Sequence, residues 1–330
     1  MGINFNFPTH FKVPLVPDDD GMTGRECPVE ECKGYFKVEF GTGLEGEGLP
    51  CYCPYCGFKD DHDQFFTPEQ IEYAKSIVAR EFDHALRREL KKLEFNIPAK
   101  GPFGIGISMK VKHGAPLPLR LYREKKLETE VICNNCTLRY AVYGLFAYCP
   151  DCGLHNSDQI LENNLDLALK ELDLTHQTEA EDLIRHLLAD SLENAVSAFD
   201  GFGRELTRVY SAKSNNPAKA ENLSFQNLTS ANTNIITLFG FDLESSSDRK
   251  EWEFAIKCFN KRHLLAHKMG IVDQKYIDNT NDPDAIIGRL ISISEEEVRE
   301  LVKVISKMGN YLCVKLTGKV VNNTDGETTK

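Results

Sequence analysis

With 330 residues, 41% of them hydrophobic, the chain is long enough to pack two or three domains. No apolar run reaches the length needed to cross a bilayer. The net charge of −11 works against broad contact with nucleic acid unless the charge is unevenly placed.

The opening residues, MGINFNFPTHFKVPLVPDDDG, lack the basic and apolar regions of a secretory leader, which predicts a cytoplasmic chain. Asn6 stands where a myristoylation signal wants Ser or Thr. Eleven cysteines in a cytoplasmic chain are not expected to pair as disulfides, and their spacing points to metal. The first set is Cys27-x4-Cys32 followed by Cys53-x2-Cys56, and the second is Cys133-x2-Cys136 followed by Cys149-x2-Cys152. Two tight turns, each with a cysteine pair, supply the four soft ligands of a tetrahedral zinc site. Pro54 and Pro150 follow a ligand, and Gly57 and Gly153 follow the last ligand of each set, so CPYCG and CPDCG are one knuckle written twice. Both sets read as zinc ribbons binding structural Zn2+, with no open coordination position for catalysis. Cys51 is a spare that could stand in for Cys53, which has the better knuckle spacing. Cys258 and Cys313 fall in helical patterns and read as small core residues.

Thr67-Pro68-Glu69 starts a helix, with Thr67 as cap and Pro68 in the first helical position. It is predicted to run to about Phe95 and to bury Ile71, Ala74, Val78, Phe82, Ala85 and Leu86 on one face. Asn96 to Val131 is rich in Gly, Pro and alternating residues, and MKVKH and LRLY alternate as strands do. Between Arg80 and Lys126 there are twelve Lys or Arg and five acids, an excess of seven positive charges. Either this is a solvated helix face followed by a hairpin, or it holds RNA through Arg87, Arg88, Lys91, Lys92, Lys110 and Lys112.

From about Leu161 the pattern stays helical. Leu192, Val196, Phe199, Phe202 and Leu206 share a face, as do Trp252, Ala255, Ile256, Phe259 and Ala266, and as do Val298, Val302, Ile305, Met308, Leu312 and Leu316. Ser294 followed by Glu295–Glu297 marks another helix start. Ser211–Asn234 reads as a long polar connection with one short helix at most. The division is therefore 1–66, an arm and the first ribbon; 67–95, a linking helix; 96–160, a β segment and the second ribbon; 161–320, a helical domain; and 321–330, a flexible tail. The fold class is α+β multidomain.

Near the end of the helix that starts at Ser247 or Asp248 stands RHLLAH, with Gly270 as its stop. His263 and His267 are four apart and share a face, with Arg262 beside them. Such a helix end can hold a phosphate and move protons, or it can simply complement the helix dipole. Arg-x4-His alone carries little, since RHLLA recurs at Arg185–Ala189 with Asp190 in the place of the second histidine.

The surrounding run CFNKRHLLAHKMGIVDQKYID resembles the active-site helix and following loop of HEPN-domain proteins. Upstream, ADSLENAVSAFDGFGREL and LSFQNLTSANTNIITLFGFDL resemble the same family, so that the resemblance covers roughly 178–316 and leaves the ribbons outside it. It implies an all-helical bundle and a metal-independent endoribonuclease. The family motif, Arg then a polar residue then His, falls on Arg262, His263 and His267. It implies proton transfer by His267, phosphate stabilisation by Arg262 and an orienting role for His263. Asp200 matches a position often acidic in the family and could orient a histidine, or be an ordinary polar-face residue; Arg204, one turn on, is a further RNA contact. Asp273 and Tyr276 are expected to fix the loop after the helix. The family also implies a homodimer, a setting of prokaryotic defence or toxins, and a protein trigger or regulator. The alternative left open is a non-catalytic dimeric module in which ribbons and helices only bind nucleic acid or protein.

Overall fold

The computed structural model describes residues 11–46, 48–98, 103, 107–112 and 114–318. The arm up to His10, Lys100, His113 and the tail 321–330 lie outside these residues. The chain divides into two compact units, Met1–Gly144 with Tyr148–Gly153, and Leu145–Ala147 with Leu154–Lys330.

The N-terminal unit is built on two hairpins that share one sheet. Strands β1 (Thr23–Glu26) and β2 (Tyr35–Val38) form the first, and β7 (Thr129–Ile132) and β8 (Arg139–Val142) form the second. Antiparallel pairing of β2 with β8, Lys37 opposite Ala141 and Val38 opposite Tyr140, joins them in the order β1-β2-β8-β7. The two ribbons expected as separate domains are thus halves of a single sheet. Met22, Phe36, Phe65, Leu138 and Tyr140 are buried in this unit, with the Phe36 and Phe65 rings edge to face at 5.9 Å. Two short pairs complete the β structure, β3 (Cys51–Tyr52) with β4 (Lys59–Asp60), and β5 (Phe95–Ile97) with β6 (Ile107–Met109).

Helix α1 (Pro68–Lys91) starts where the sequence says it should. Thr67 and Gln70 form a reciprocal capping box, each backbone N–H donating to the other's side chain at 3.2 Å. It ends four residues before Phe95, because Phe95–Ile97 pairs with Ile107–Met109 instead of continuing the helix. Its buried side chains are also, Ala85 apart, not the expected ones. Gln70 Nε2 donates to the Gly24 carbonyl at 2.8 Å and Tyr73 packs on Tyr122, so the helix docks by this polar edge. Ala85 is buried as expected, but Ile71 and Phe82 remain 41% and 46% exposed. They line a shallow apolar groove together with Phe11, Val13 and Leu15. LRLY forms no strand; the chain there runs alongside α1, with the Arg120 N–H donating to Ser76 Oγ at 3.1 Å.

The helical unit packs α2 (Ser157–Asp173), α3 (Glu181–Val209), α6 (Arg249–Lys268) and α8 (Glu295–Thr317) around one core. Leu165, Phe199, Phe202, Trp252, Phe259, Ile305 and Leu312 are buried in it, as are Cys258 and Cys313. The predicted apolar stripes bury as read, except that Ile256 is half-buried and Ala266 is exposed. Asp248 and Ser294 cap α6 and α8, each in a capping box with a glutamate three residues on. The connection read as loop holds two helices, α4 (Pro217–Ala220) and the twelve-residue α5 (Leu228–Phe239), the latter reaching beyond Asn234. A last short helix, α7 (Gln274–Thr280), follows α6.

Candidate metal centres and active site

In the N-terminal unit the eight expected cysteines gather into two clusters. Cys27, Cys32, Cys53 and Cys56 form one, and Cys133, Cys136, Cys149 and Cys152 the other, with all four sulfurs of each within 4.8 Å of one another. Sγ–Sγ distances of 3.7 Å (Cys27–Cys56, Cys32–Cys53 and Cys133–Cys152) and 3.4 Å (Cys136–Cys149) approach the edge of a tetrahedron about 3.8 Å long that a 2.3 Å zinc–sulfur bond requires. The donor sets therefore fit two four-cysteine metal sites, compatible with zinc. Cys51 is buried but belongs to neither cluster.

The turns explain how the sulfurs converge. Every cysteine pair ends on a residue in the left-handed region, Lys33 (φ 45°), Gly57 (72°), Thr137 (65°) and Gly153 (65°). The sequence marks only the two glycines. The knuckles also interlock. Tyr52 N–H donates to the Pro150 carbonyl at 2.7 Å, and Tyr148 N–H donates to that of Pro54 at 2.8 Å. The same two rings cover the opposite glycines: a Cβ on Gly57 would lie 3.2 Å from Tyr148, and one on Gly153 would lie 2.8 Å from Tyr52. The repeated motif is thus a repeated contact, reciprocated across an approximate twofold.

In the helical unit, α6 carries RHLLAH on its last two turns. Its rotation is fixed by Lys261, 5% exposed, which donates to the Ser292 carbonyl at 2.6 Å and to the Glu297 carboxylate at 2.8 Å. The neighbouring Arg262 consequently faces the other way. The helix stops on Met269, which takes the left-handed conformation (φ 53°) ahead of Gly270 (φ 75°). Asp273 caps α7, accepting from Tyr276 N–H at 2.9 Å, and Tyr276 donates to Asp282 at 2.7 Å. Asn279 of α7 donates to Asn260 of α6 at 3.0 Å, holding the two helices together.

Arg262, His263 and His267 line one pocket of 520 Å³, together with Lys275 of α7 and the segment from Asn222 to Ser230. The two imidazole rings lie 4.8 Å apart. The Arg262 Nε is buried and has no hydrogen-bond partner among the described residues. Among the described residues no Asp or Glu lines the pocket, although the chain has 50 acidic residues. Partial burial, and then the positive neighbours His267 and Lys275, hold the His263 imidazole below its ordinary pKa, partly opposed by Asp273. Such a wall can attract an anion, place a guanidinium against it and exchange protons.

Asp200 sits behind this pocket rather than on its wall. It is 8% exposed on α3, and its carboxylate accepts from Phe225 N–H (2.6 Å), Ser224 Oγ (3.3 Å), Arg204 Nε (2.9 Å) and Gln226 Nε2 (3.2 Å). It thereby fixes the loop that forms one side of the pocket, and Arg204 is drawn into the same network. Of the other expected RNA contacts, Arg87 is tied to Asp83 at 2.7 Å and to two carbonyls, and Lys92 to the buried Glu89 at 2.7 Å. Arg88, Lys91, Lys110 and Lys112 are exposed on the N-terminal unit. Sequence reasoning missed Lys275 and the amides of 222–234, whose approach to α6 depends on helices it did not foresee.

The molecule is an α+β protein with two four-cysteine clusters and a helical unit bearing an acid-free Arg/His pocket. No family model, curated protein or solved structure matches the chain.

Proposed function

We propose that this chain is a metal-independent endoribonuclease of HEPN type that cleaves RNA by internal transesterification. The observation that carries the reading is the assembly of Arg262, His263, His267 and Lys275 around one pocket free of carboxylates. The ribose 2′-oxygen attacks the adjacent phosphorus and the 5′-oxygen leaves, giving a 2′,3′-cyclic phosphate and a 5′-hydroxyl. His267 carries the proton in this step, from the 2′-hydroxyl that attacks to the 5′-oxygen that leaves, and Arg262 offsets the charge that builds on the phosphate. The nucleophile belongs to the substrate. His263, whose imidazole is held below its ordinary pKa by partial burial and positive neighbours, orients the phosphate or its partner imidazole. Asp200 is a positioning residue that acts through the loop it holds.

The two cysteine clusters hold structural Zn2+, and the ribbons recognise RNA, through Arg88, Lys91, Lys110 and Lys112, or a protein trigger. The active form is a homodimer through the helical unit, in a cytoplasmic defence or toxin setting, as the family resemblance implies.

The test is cleavage of a mixed RNA pool in EDTA by the native chain and by Arg262→Ala and His267→Ala. We expect 2′,3′-cyclic ends from the native chain and a loss of about 10²- to 10⁴-fold in each variant. Cleavage surviving both substitutions overturns the site assignment. Binding of RNA without turnover by the native chain makes the protein a binding module instead.

A further inference from the structure

The pocket is more than a phosphate cradle. Six amide side chains line it, Asn222, Gln226, Asn227, Asn234, Asn260 and Asn279. Phosphate oxygens only accept hydrogen bonds, so an amide oxygen facing them is repelled. Amides suit a ligand that presents donors and acceptors together, as the edge of a nucleobase does.

Their unused groups are of both kinds. Asn222 and Asn279 donate through Nδ2, and Gln226 donates through Nε2, which leaves three carbonyl oxygens to accept. Asn227 accepts from Ser230 N–H through Oδ1, which leaves its Nδ2 to donate. Asn234 is exposed on α5, and its side chain makes no hydrogen bond among the described residues. The loop that carries three of these amides is held by Asp200 and so is preformed. The volume of 520 Å³ lies within the range of about 300–1,000 Å³ typical of sites for whole small molecules.

We infer that this pocket holds one unpaired base next to the scissile phosphate and selects it by its edge. Asn and Gln pair in bidentate fashion with the N6 and N7 of adenine, so adenine is the base expected. Arg262 and Lys275 hold the phosphate, while the amides of 222–234 read the base. In a duplex of RNA the N6 and N7 of adenine lie in a deep, narrow major groove that side chains cannot read, so the substrate is single-stranded. The inference rests on the ribonuclease reading for the place of the base beside a bond to be broken.

Binding separates the two readings. Fluorescent 2′-fluoro pentanucleotides of A, U or C cannot undergo transesterification, and their affinities for the native chain are measured alongside cut-site mapping on unmodified RNA. The A pentamer is expected to bind about tenfold more tightly than the others. The double variant Asn222→Ala/Asn234→Ala is expected to lose that preference, and circular dichroism checks its fold. Equal affinities, or a preference unchanged in the folded double variant, overturn the base pocket. Preferential binding with no cleavage overturns the ribonuclease and leaves the pocket. Cleavage without preference in cuts or binding overturns the pocket and leaves the ribonuclease.

Discussion

At the scale of single residues, the charge around His263 is the most consequential feature. Burial and the positive neighbours His267, Lys275 and Arg262 disfavour its protonated form, and Asp273 favours it. The imidazole therefore gives up its proton more readily than an ordinary histidine, whose pKa is about 6.5. NMR titration of its ring protons should show a midpoint under that value. Lys275→Ala removes a positive neighbour and should move the midpoint up. Asp273→Asn keeps a side chain able to cap α7 but removes the opposing charge, and should move it down. A midpoint indifferent to both substitutions would mean that the pocket's charges do not reach His263. Arg262 illustrates the same point from the other side: its Nε is buried with no partner among the described residues, and a buried unsatisfied donor costs about 1–3 kcal/mol unless a ligand fills it.

At the scale of elements, the pocket depends on how α3 receives the loop after α4. Phe225 is fully buried, and its ring lies where a Cβ on Gly203 would stand, at 2.6 Å. Its backbone N–H is held by Asp200, one turn earlier on the same helix. Gly203→Ala should therefore push Phe225 and its loop outward, destabilising the helical unit by about 1–3 kcal/mol. Weakened binding of the adenine pentamer reads the first effect, and thermal unfolding reads the second. An unchanged melting temperature would show that the loop yields without cost. The same elements mark the limits of what the sequence disclosed. Helix starts written in local chemistry were legible: Thr67-Pro68, Asp248 and Ser294 cap the helices they announce. α5 was not, because LTSANTNIITLF is full of Asn and Thr, which are poor helix formers. It is helical because Leu228, Ala231, Ile235 and Leu238 are buried and because Asn227 and Gly240 cap its two ends. The apolar stripe of α1 misled for a similar reason. Its docking is decided by Gln70 bonding to Gly24, a partner 46 residues away.

At the scale of the whole chain, the cysteine clusters were legible because ligand spacing is local, whereas their interlocking was not, since it needs two knuckles almost a hundred residues apart to meet. That meeting has a measurable outcome. The hydrogen bonds from Tyr52 to Pro150 and from Tyr148 to Pro54, with the β2–β8 seam, tie each cluster's turn to the other's backbone. Cys56→Ser should consequently loosen both metal sites. After loading with zinc, release to a chromophoric chelator should show the metal of the other cluster leaving faster than from the native chain loaded in the same way, while the far-ultraviolet helical signal persists. Independent release of the two metals would sink this coupling. RHLLAH itself was legible as a motif, but the acid-free wall around it was not, because it is assembled from α5, α6, α7 and the loop before α5.

The approximate twofold of the ribbons has a further consequence. Two like halves that reciprocate their contacts amount to a dimer carried within one chain. Each half then meets its mate at an effective concentration set by the intervening segment, not by how much protein is present. Closing such a segment costs only about 0.6 kcal/mol more for each doubling of its length. The stretch between β4 and β7 is therefore nearly free of the duty of holding the halves together, and it is there that the chain carries α1 with its exposed apolar groove and the exposed cations Arg88, Lys91, Lys110 and Lys112.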